Sequence, residues 1–324
     1  MRNILAINSL FCRQNESIDL STTKEKYISF IKENYVPIFY RDIYLDAVCD
    51  SAWDVVLYEE KGQIEGAYIY MLKQKMLLKY IVQPQLCPYT GPIYFNPSDS
   101  KKAFHHLVET LPKHHLIIQD YFHNIPLLEN DVHTQTNKHT YVLESTTNEE
   151  ELWQRQSSTH RRIIRKAEKE LKYEVEDDIN VFLEFVSGTF EKRKKHNPND
   201  PRVFQQLDEK LLEKGMRKIV KCTNDNNLVV AMCYFMKDEQ WTYNFANSVI
   251  EDYRHYGMNL ILWNEIKDTL ANDRSFDFEG SMISGIDEFF KRFKGTKAMY
   301  QSRYKSSNAL VDFLVKMKTS KMNK

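Results

Sequence analysis

The apolar and polar positions along the chain divide it into short segments of two periods. Over 22–49 the apolar residues recur at helical spacing, with Tyr27, Phe30 and Ile31 on one stripe. Two stretches that alternate like strands follow, 53–59 and 64–72, separated by the turn residues Glu60, Lys61, Gly62 and Gln63. Segments 76–82 and 92–95 read as further strands around a loop that carries Pro and Gly. A helix over 98–111 has Ser98 as its expected N-cap, and the apolar run 116–119 and the segment 139–143 read as strands.

The second half repeats this alternation. Thr147 followed by Glu150 has the form of a capping box and opens a helix expected to reach Leu171. A short strand over 173–175, a helix over 179–195, the loop HNPNDP and a helix over 202–214 come next. Strands over 218–222, 228–236 and 240–248 lead to a helix over 259–271 and a strand over 276–278. A last helix is expected over 308–317. Each half runs through helices and antiparallel-looking strands and then places a helix between two strands. The order predicts a mixed α/β (α+β) chain built from two copies of one plan, with domains over 1–146 and 147–305.

Composition narrows the class. Hydrophobic residues make up 42% and charged residues 28% of the 324, a globular balance that excludes global disorder. The 45 Lys and Arg balance 45 Asp and Glu, so no whole-chain charge drives the protein towards DNA or an anionic surface. Cys12, Cys49, Cys87, Cys222 and Cys233 are odd in number and scattered, which reads as reduced thiols and not as a disulfide framework. No run of 18 apolar residues occurs, and the opening MRNILAINSLFC lacks the form of a signal peptide, so a cytoplasmic chain without a membrane span is expected.

Most chemical motifs are absent. There is no GxGxxG, GxSxG, HExxH or EF-hand loop, and Gly280 and Gly285 fit GxxxxG without the Lys-Ser/Thr of a phosphate loop. His105-His106 and His114-His115 are sequence neighbours that cannot both face one ion from a helix, so no metal is expected. Arg161, Arg165 and Lys169 share one helix face, which reads either as a solvated surface or as a phosphate-contacting face for a nucleotide-linked substrate or an RNA end.

The informative region is 240–304, which holds four of the nine glycines: Gly257, Gly280, Gly285 and Gly295. The strand WTYNFANS is followed by Arg254-His255-Tyr256-Gly257-Met258-Asn259 and an amphipathic helix, a glycine loop that opens a helix and suits an anionic group. The layout of strand, R-x-x-G-x-N loop, helix and second strand resembles the acyl-CoA-binding half of the GNAT acyltransferase fold, with Asn259 in place of the loop's last small residue. FDFEGS at 276–281, then GIDEFFKRF at 285–293, resembles the Fem-type (FemAB) aminoacyltransferases, and WQRQSSTHRRIIRKAEK resembles the helix that opens their second domain. The long coiled-coil arm inserted in several Fem enzymes is missing, so the armless relatives are the nearer comparison.

The resemblance implies two tandem GNAT-like domains, each a mixed, mostly antiparallel sheet flanked by helices, with 306–324 packing back on the first domain. It implies N-acyl transfer from acyl-CoA or aminoacyl-tRNA as co-substrate to an amine of a cell-envelope precursor or related small molecule. The tRNA acceptor end is then a candidate partner, and no cofactor is bound. By the match to the family's aromatic–Lys pair, Lys291 after Phe290 is assigned to stabilise the oxyanion or a phosphate; without the resemblance it reads equally as an exposed helix lysine.

The role of the acids comes from the residues themselves, and the sets that follow join it to what the resemblance implies. Asp277 and Glu279 alternate with Phe276 and Phe278, so the acids share one side, able to hold an ammonium group or take its proton, or else satisfied by Arg254 or Lys297. Glu279 and Lys291 are the candidate catalytic pair. Arg254, Tyr256, Gly257, Asn259, Tyr243, Asp277, Ser281, Phe290, Arg161 and Arg165 are the candidate binding residues. A non-catalytic binding protein that keeps the acyltransferase fold is the alternative.

Overall fold

The computed structural model describes residues 22–122, 135–194, 197, 199–254, 256–280 and 282–307. Ser281 and the helix expected over 308–317 lie outside the described residues. The described residues fall into two compact units, one drawn from 22–138 and 299–307, the other from 139–298.

The long first helix of the sequence reading is two helices, α1 Thr22–Ile31 and α2 Asp42–Cys49. Pro37 accounts for the break, because it and the residue before it disfavour helical continuation, and a 3-10 turn at Ile38–Tyr40 bridges the gap. Strands β1 Asp54–Glu60 and β2 Gln63–Tyr70 form the expected hairpin, with Lys61 and Gly62 both at positive φ as a two-residue turn requires. β5 Gly91–Tyr94 pairs with the far side of β2.

A second hairpin, β3 Leu72–Lys75 and β4 Leu78–Val82, replaces the single strand expected over 76–82. Helix α3 Ser100–Thr110 is capped by Asp99, whose carboxylate accepts from the Lys101 and Lys102 amides. Ser98, the expected cap, instead donates its hydroxyl to Glu60 at 2.7 Å. After α3, β6 Leu116–Asp120 runs parallel to β4, and β13 Thr296–Ser306 pairs antiparallel with β6. α3 buries Ala103, Phe104 and Leu107 against Tyr58, Tyr68 and Ile117, giving this unit its core.

The second unit begins within β7 Gln135–Leu143. The helix expected from Thr147 to Leu171 is two helices, α4 Glu149–Arg155 and α5 Ser158–Glu170. Asn148 caps the first and Ser157 restarts the second, each side chain accepting a helix N–H that would otherwise be orphaned. β8 Leu171–Glu176, α6 Ile179–Lys192 and α7 Pro201–Glu213 lead into β9 Arg217–Asn224, β10 Val229–Lys237 and β11 Trp241–Val249, an antiparallel run in the order β8-β9-β10-β11. Helix α8 Gly257–Ala271 then crosses to β12 Ser275–Asp277, which runs parallel to β11 and antiparallel to the end of β7. Helix α9 Ser284–Lys291 completes this unit.

The units share a plan that the register makes concrete. In each, a helix links two parallel strands, β4 and β6 through α3, β11 and β12 through α8, and an antiparallel strand lies beyond, β13 or β7. α8 is buried on nearly every side, and its one core carboxylate, Glu265, is offset by Lys218 at 2.7 Å. The core of the unit gathers Phe235, Trp263, Phe276, Phe278, Phe290 and Phe293 around α8 and the end of β12.

Candidate active site

β12 ends at Asp277, and the chain then turns through two consecutive left-handed residues, Glu279 at φ +58° and Gly280 at φ +46°. Gly280 leaves no choice of residue, since a Cβ there would lie 2.4 Å from the His139 carbonyl oxygen of β7. Glu279 has no such excuse: a non-glycine residue in this region costs about 1–3 kcal/mol and persists only where its surroundings fix it. The turn directs the Glu279 carboxyl inwards, where the residue is 4% exposed, while Asp277 is fully buried beside it.

Asp277 is held firmly. Its Oδ1 accepts the Thr140 hydroxyl at 2.6 Å and the Glu279 amide at 2.8 Å. Glu279 is not held in this way, and its Oε1 is buried without a hydrogen-bond partner among the described residues. Burial, with the Asp277 carboxylate as a second cause, pushes the Glu279 carboxyl well above the usual carboxylate range. A buried acid with a raised pKa, an unused oxygen and a strained backbone is the arrangement expected of a group kept for chemistry.

The wall behind the acids is aromatic. Phe278 packs on Phe276, Phe290 and Phe293 at centroid distances of 4.9, 5.2 and 5.5 Å, which ties α9 to the end of β12. Asp287, in the first turn of α9, accepts from His139 Nε2 at 2.6 Å. Burial, and then the Asp287 charge, raise the Tyr141 hydroxyl above its ordinary value. Thr140 therefore adjoins the acids, with His139 and Tyr141 beside it on β7 and Asp287 bonded to His139, although none is singled out by the sequence. β7 lies beside β12 with Val142 opposite Asp277, and that pairing brings the β7 residues to the acids.

The structure thus brings Asp277, Glu279 and Phe290 together, and it disperses most of the other candidates. Lys291, at the last turn of α9, is 61% exposed along its side chain and pairs with Glu288 at 3.5 Å. Arg254 is similarly exposed and turned to Glu251 at 3.0 Å, so it is not the counterion of the buried acids. Tyr243 is fully buried and donates to Asp238 at 3.1 Å. Arg161 is bonded to the Gln154 side chain at 2.9 Å. Arg165 lies 5.4 Å from the Trp153 ring, beside an open groove of about 660 Å³ that Trp263, Lys267 and Glu168 also line.

The start of α8 forms a cluster of its own. Tyr256 receives the Lys166 ammonium both at its hydroxyl, 3.2 Å away, and over its ring. Asn259 is fully buried with its Oδ1 at 2.6 Å from His160 Nε2, a bond that joins α5 to α8, and burial lowers the His160 pKa. A Cβ at Gly257 would lie 2.6 Å from the Cβ of Ala231 on β10, so packing alone requires glycine there. Gly257→Val is expected to overpack this contact and cost about 1–3 kcal/mol. Urea unfolding measures it, and an unchanged midpoint would show that the helix start is free to move off β10.

No family model matches the chain, and no curated protein matches it by sequence. Its structure is similar to that of FemX, with a TM-score of 0.64 at 12% identity, covering 91% of this chain and 99% of that one. It is also similar to L-PGS from Bacillus licheniformis, with a TM-score of 0.52 at 12% identity over 95% of this chain and 100% of the other. A DUF2156 domain from Agrobacterium fabrum gives a TM-score of 0.52, again at 12% identity, over 91% and 95%. Among the described residues no helix is long and apolar enough to cross a membrane. The chain has the two-unit, mixed α/β fold of the Fem-like and GNAT-like acyltransferases.

Proposed function

We propose that this protein is an N-acyltransferase that moves an acyl or aminoacyl group from acyl-CoA or aminoacyl-tRNA to an amine of a cell-envelope precursor or a related small molecule. The observation that carries this reading is the buried carboxyl pair at the end of β12, with Glu279 strained, unpartnered at Oε1 and raised in pKa. The likeness of fold to FemX and L-PGS supports the reaction class.

Transfer to an amine needs three things from the protein. The amine must lose a proton as its lone pair attacks the carbonyl, the oxygen of that carbonyl must be stabilised as it becomes negative, and the two partners must be held in line. Burial makes Glu279 a stronger proton acceptor than an exposed glutamate, and Asp277 beside it favours a cationic partner, so the pair suits an incoming ammonium group. Lys291 is assigned to the oxyanion on its match to the aromatic–Lys pair of the Fem-type enzymes, since the structure does not bring it to the acids. Its exposure leaves the ammonium able to exchange Glu288 for a substrate group, because an exposed i,i+3 pair holds by only about 1 kcal/mol or less.

The Arg of the R-x-x-G-x-N loop does not face the start of α8. Arg254 is turned to Glu251 on the surface, at 3.0 Å. This weighs towards an aminoacyl-tRNA donor over an acyl-CoA one. Titration of the full chain with aminoacyl-tRNA and, separately, with acetyl-CoA tests the reading through the melting temperature. At about 100 times the dissociation constant a ligand adds about 2.7 kcal/mol to the native state, a rise easily measured. A rise with the charged tRNA alone is the expected result. An unchanged melting temperature with both donors would favour the alternative, a non-catalytic binding protein that keeps the fold.

A further inference from the structure

We propose that the tip of the β3–β4 hairpin is a membrane anchor that inserts Met76 and Leu77 into an anionic lipid surface. The two residues are 86% and 89% exposed, more than any other large hydrophobic side chain among the described residues. They form the whole turn, since Lys75 and Leu78 are still paired across the hairpin. Met76 stands at φ +54°, a conformation for which a two-residue turn ordinarily uses Asn or Gly. The Gln74 side-chain amide, donating to the Met76 carbonyl at 3.0 Å, steadies it there. A polar turn would meet the geometry at lower cost and without exposed apolar surface, so the turn itself does not explain the Met-Leu pair.

Charge selects the occupant. Lys73, Lys75 and Lys79 surround the tip, and no acidic residue occurs between positions 66 and 98. The register sets Lys73 and Lys75 on one face of the hairpin, and Lys79, opposite Gln74, on the other. Cations on both faces above an apolar point suit entry tip first, with the ammonium groups at the level of anionic headgroups. A protein partner fits less well, because a two-residue tip covers far less than the ~800 Å² per side of a stable interface, whereas a bilayer needs no matching shape. The base of the hairpin is firm, with Ile81 and Val82 buried in β4 and paired to β6, so the tip is carried on a rigid support.

Flotation of the full chain with vesicles tests this without reference to any enzymatic activity. The wild type is expected to float with vesicles of equimolar phosphatidylglycerol and phosphatidylcholine and not with phosphatidylcholine alone, and to be released by high salt. The double variant Met76→Ser, Leu77→Ser is expected to bind about 10²-fold more weakly, on the scale of two exposed apolar side chains. The triple variant Lys73→Gln, Lys75→Gln, Lys79→Gln is expected to lose about as much. Melting temperatures of both should match the wild type, since these side chains are at the surface. A wild type that stays with the unbound fraction, or variants that float as well as it does, would overturn the proposal. So would a wild-type dimer that the double variant abolishes in the absence of any vesicle binding, which would assign the tip to self-association.

Discussion

Glu279→Gln is expected to lower turnover by about 10²–10⁴, the range for losing a positioned general base, while raising thermal stability at neutral pH. The two effects have one cause. In the folded protein burial holds the Glu279 carboxyl well above its usual range, whereas in the unfolded chain it titrates as an ordinary glutamate. Between those two values the native state holds a proton that the unfolded state has released. Stability from this group is therefore complete below the unfolded pKa and falls as pH rises towards the folded one. Gln keeps the shape and removes the titration, so the variant should lose that fall and melt higher than wild type at neutral pH. Activity should show the converse, since the wild-type rate needs the deprotonated carboxylate and rises with pH through the raised pKa. Melting temperature and rate, each followed against pH in both proteins, check this directly. A variant that melts lower than wild type and retains its rate would mean that Glu279 is structural.

The same residue shows how far sequence reasoning reaches. Asp277 and Glu279 were legible as a pair because a strand alternates its side chains, and the FDFEG run makes that alternation plain. The strand nevertheless stops at Asp277, and it is the left-handed turn at 279–280 that carries the second carboxyl inwards. Nothing in the local pattern announces that turn except Gly280. The partners are further from view. Thr140 and Asp277, separated by 137 positions, meet through the pairing of β7 with β12, and His139 and Asp287, 148 apart, meet where α9 follows that pairing.

Elements with a sustained period, such as β9 to β11 and α8, are readable to within a few residues. The misses have identifiable causes. The expected helix from Thr147 to Leu171 ignores Ser157, whose hydroxyl caps a new start. β13 was not foreseen at all, because it buries Gln301 and Arg303 where an apolar residue would have marked the period. The hairpin tip has the pattern of a strand's beginning, because Met76 and Leu77 have the composition of one. In the last two cases a polar residue inside, or an apolar one outside, reverses the signal on which the reading depends.

Lys291→Met is expected to lower turnover by about 10²–10³, the scale of removing one oxyanion-hole donor, with folding unchanged. The residue is exposed and pairs with Glu288 across one helical turn, so its loss should leave the melting temperature within the small range of surface substitutions. That separation of activity from stability distinguishes it from Phe290, which is buried against Phe278 and whose truncation would damage both. Arg292 supplies the control. It follows Lys291 with helical dihedrals, is likewise exposed, and is turned about 100° round the axis, so it has the same charge and a different direction. Turnover of Lys291→Met, Arg292→Met and wild type with one confirmed donor and amine decides the matter. Loss confined to Lys291→Met, in kcat more than in KM, places the ammonium at charge that develops in the transition state. Equal rates for the two variants would return Lys291 to the solvated face of α9 and leave the buried acids Glu279 and Asp277 to carry the chemistry.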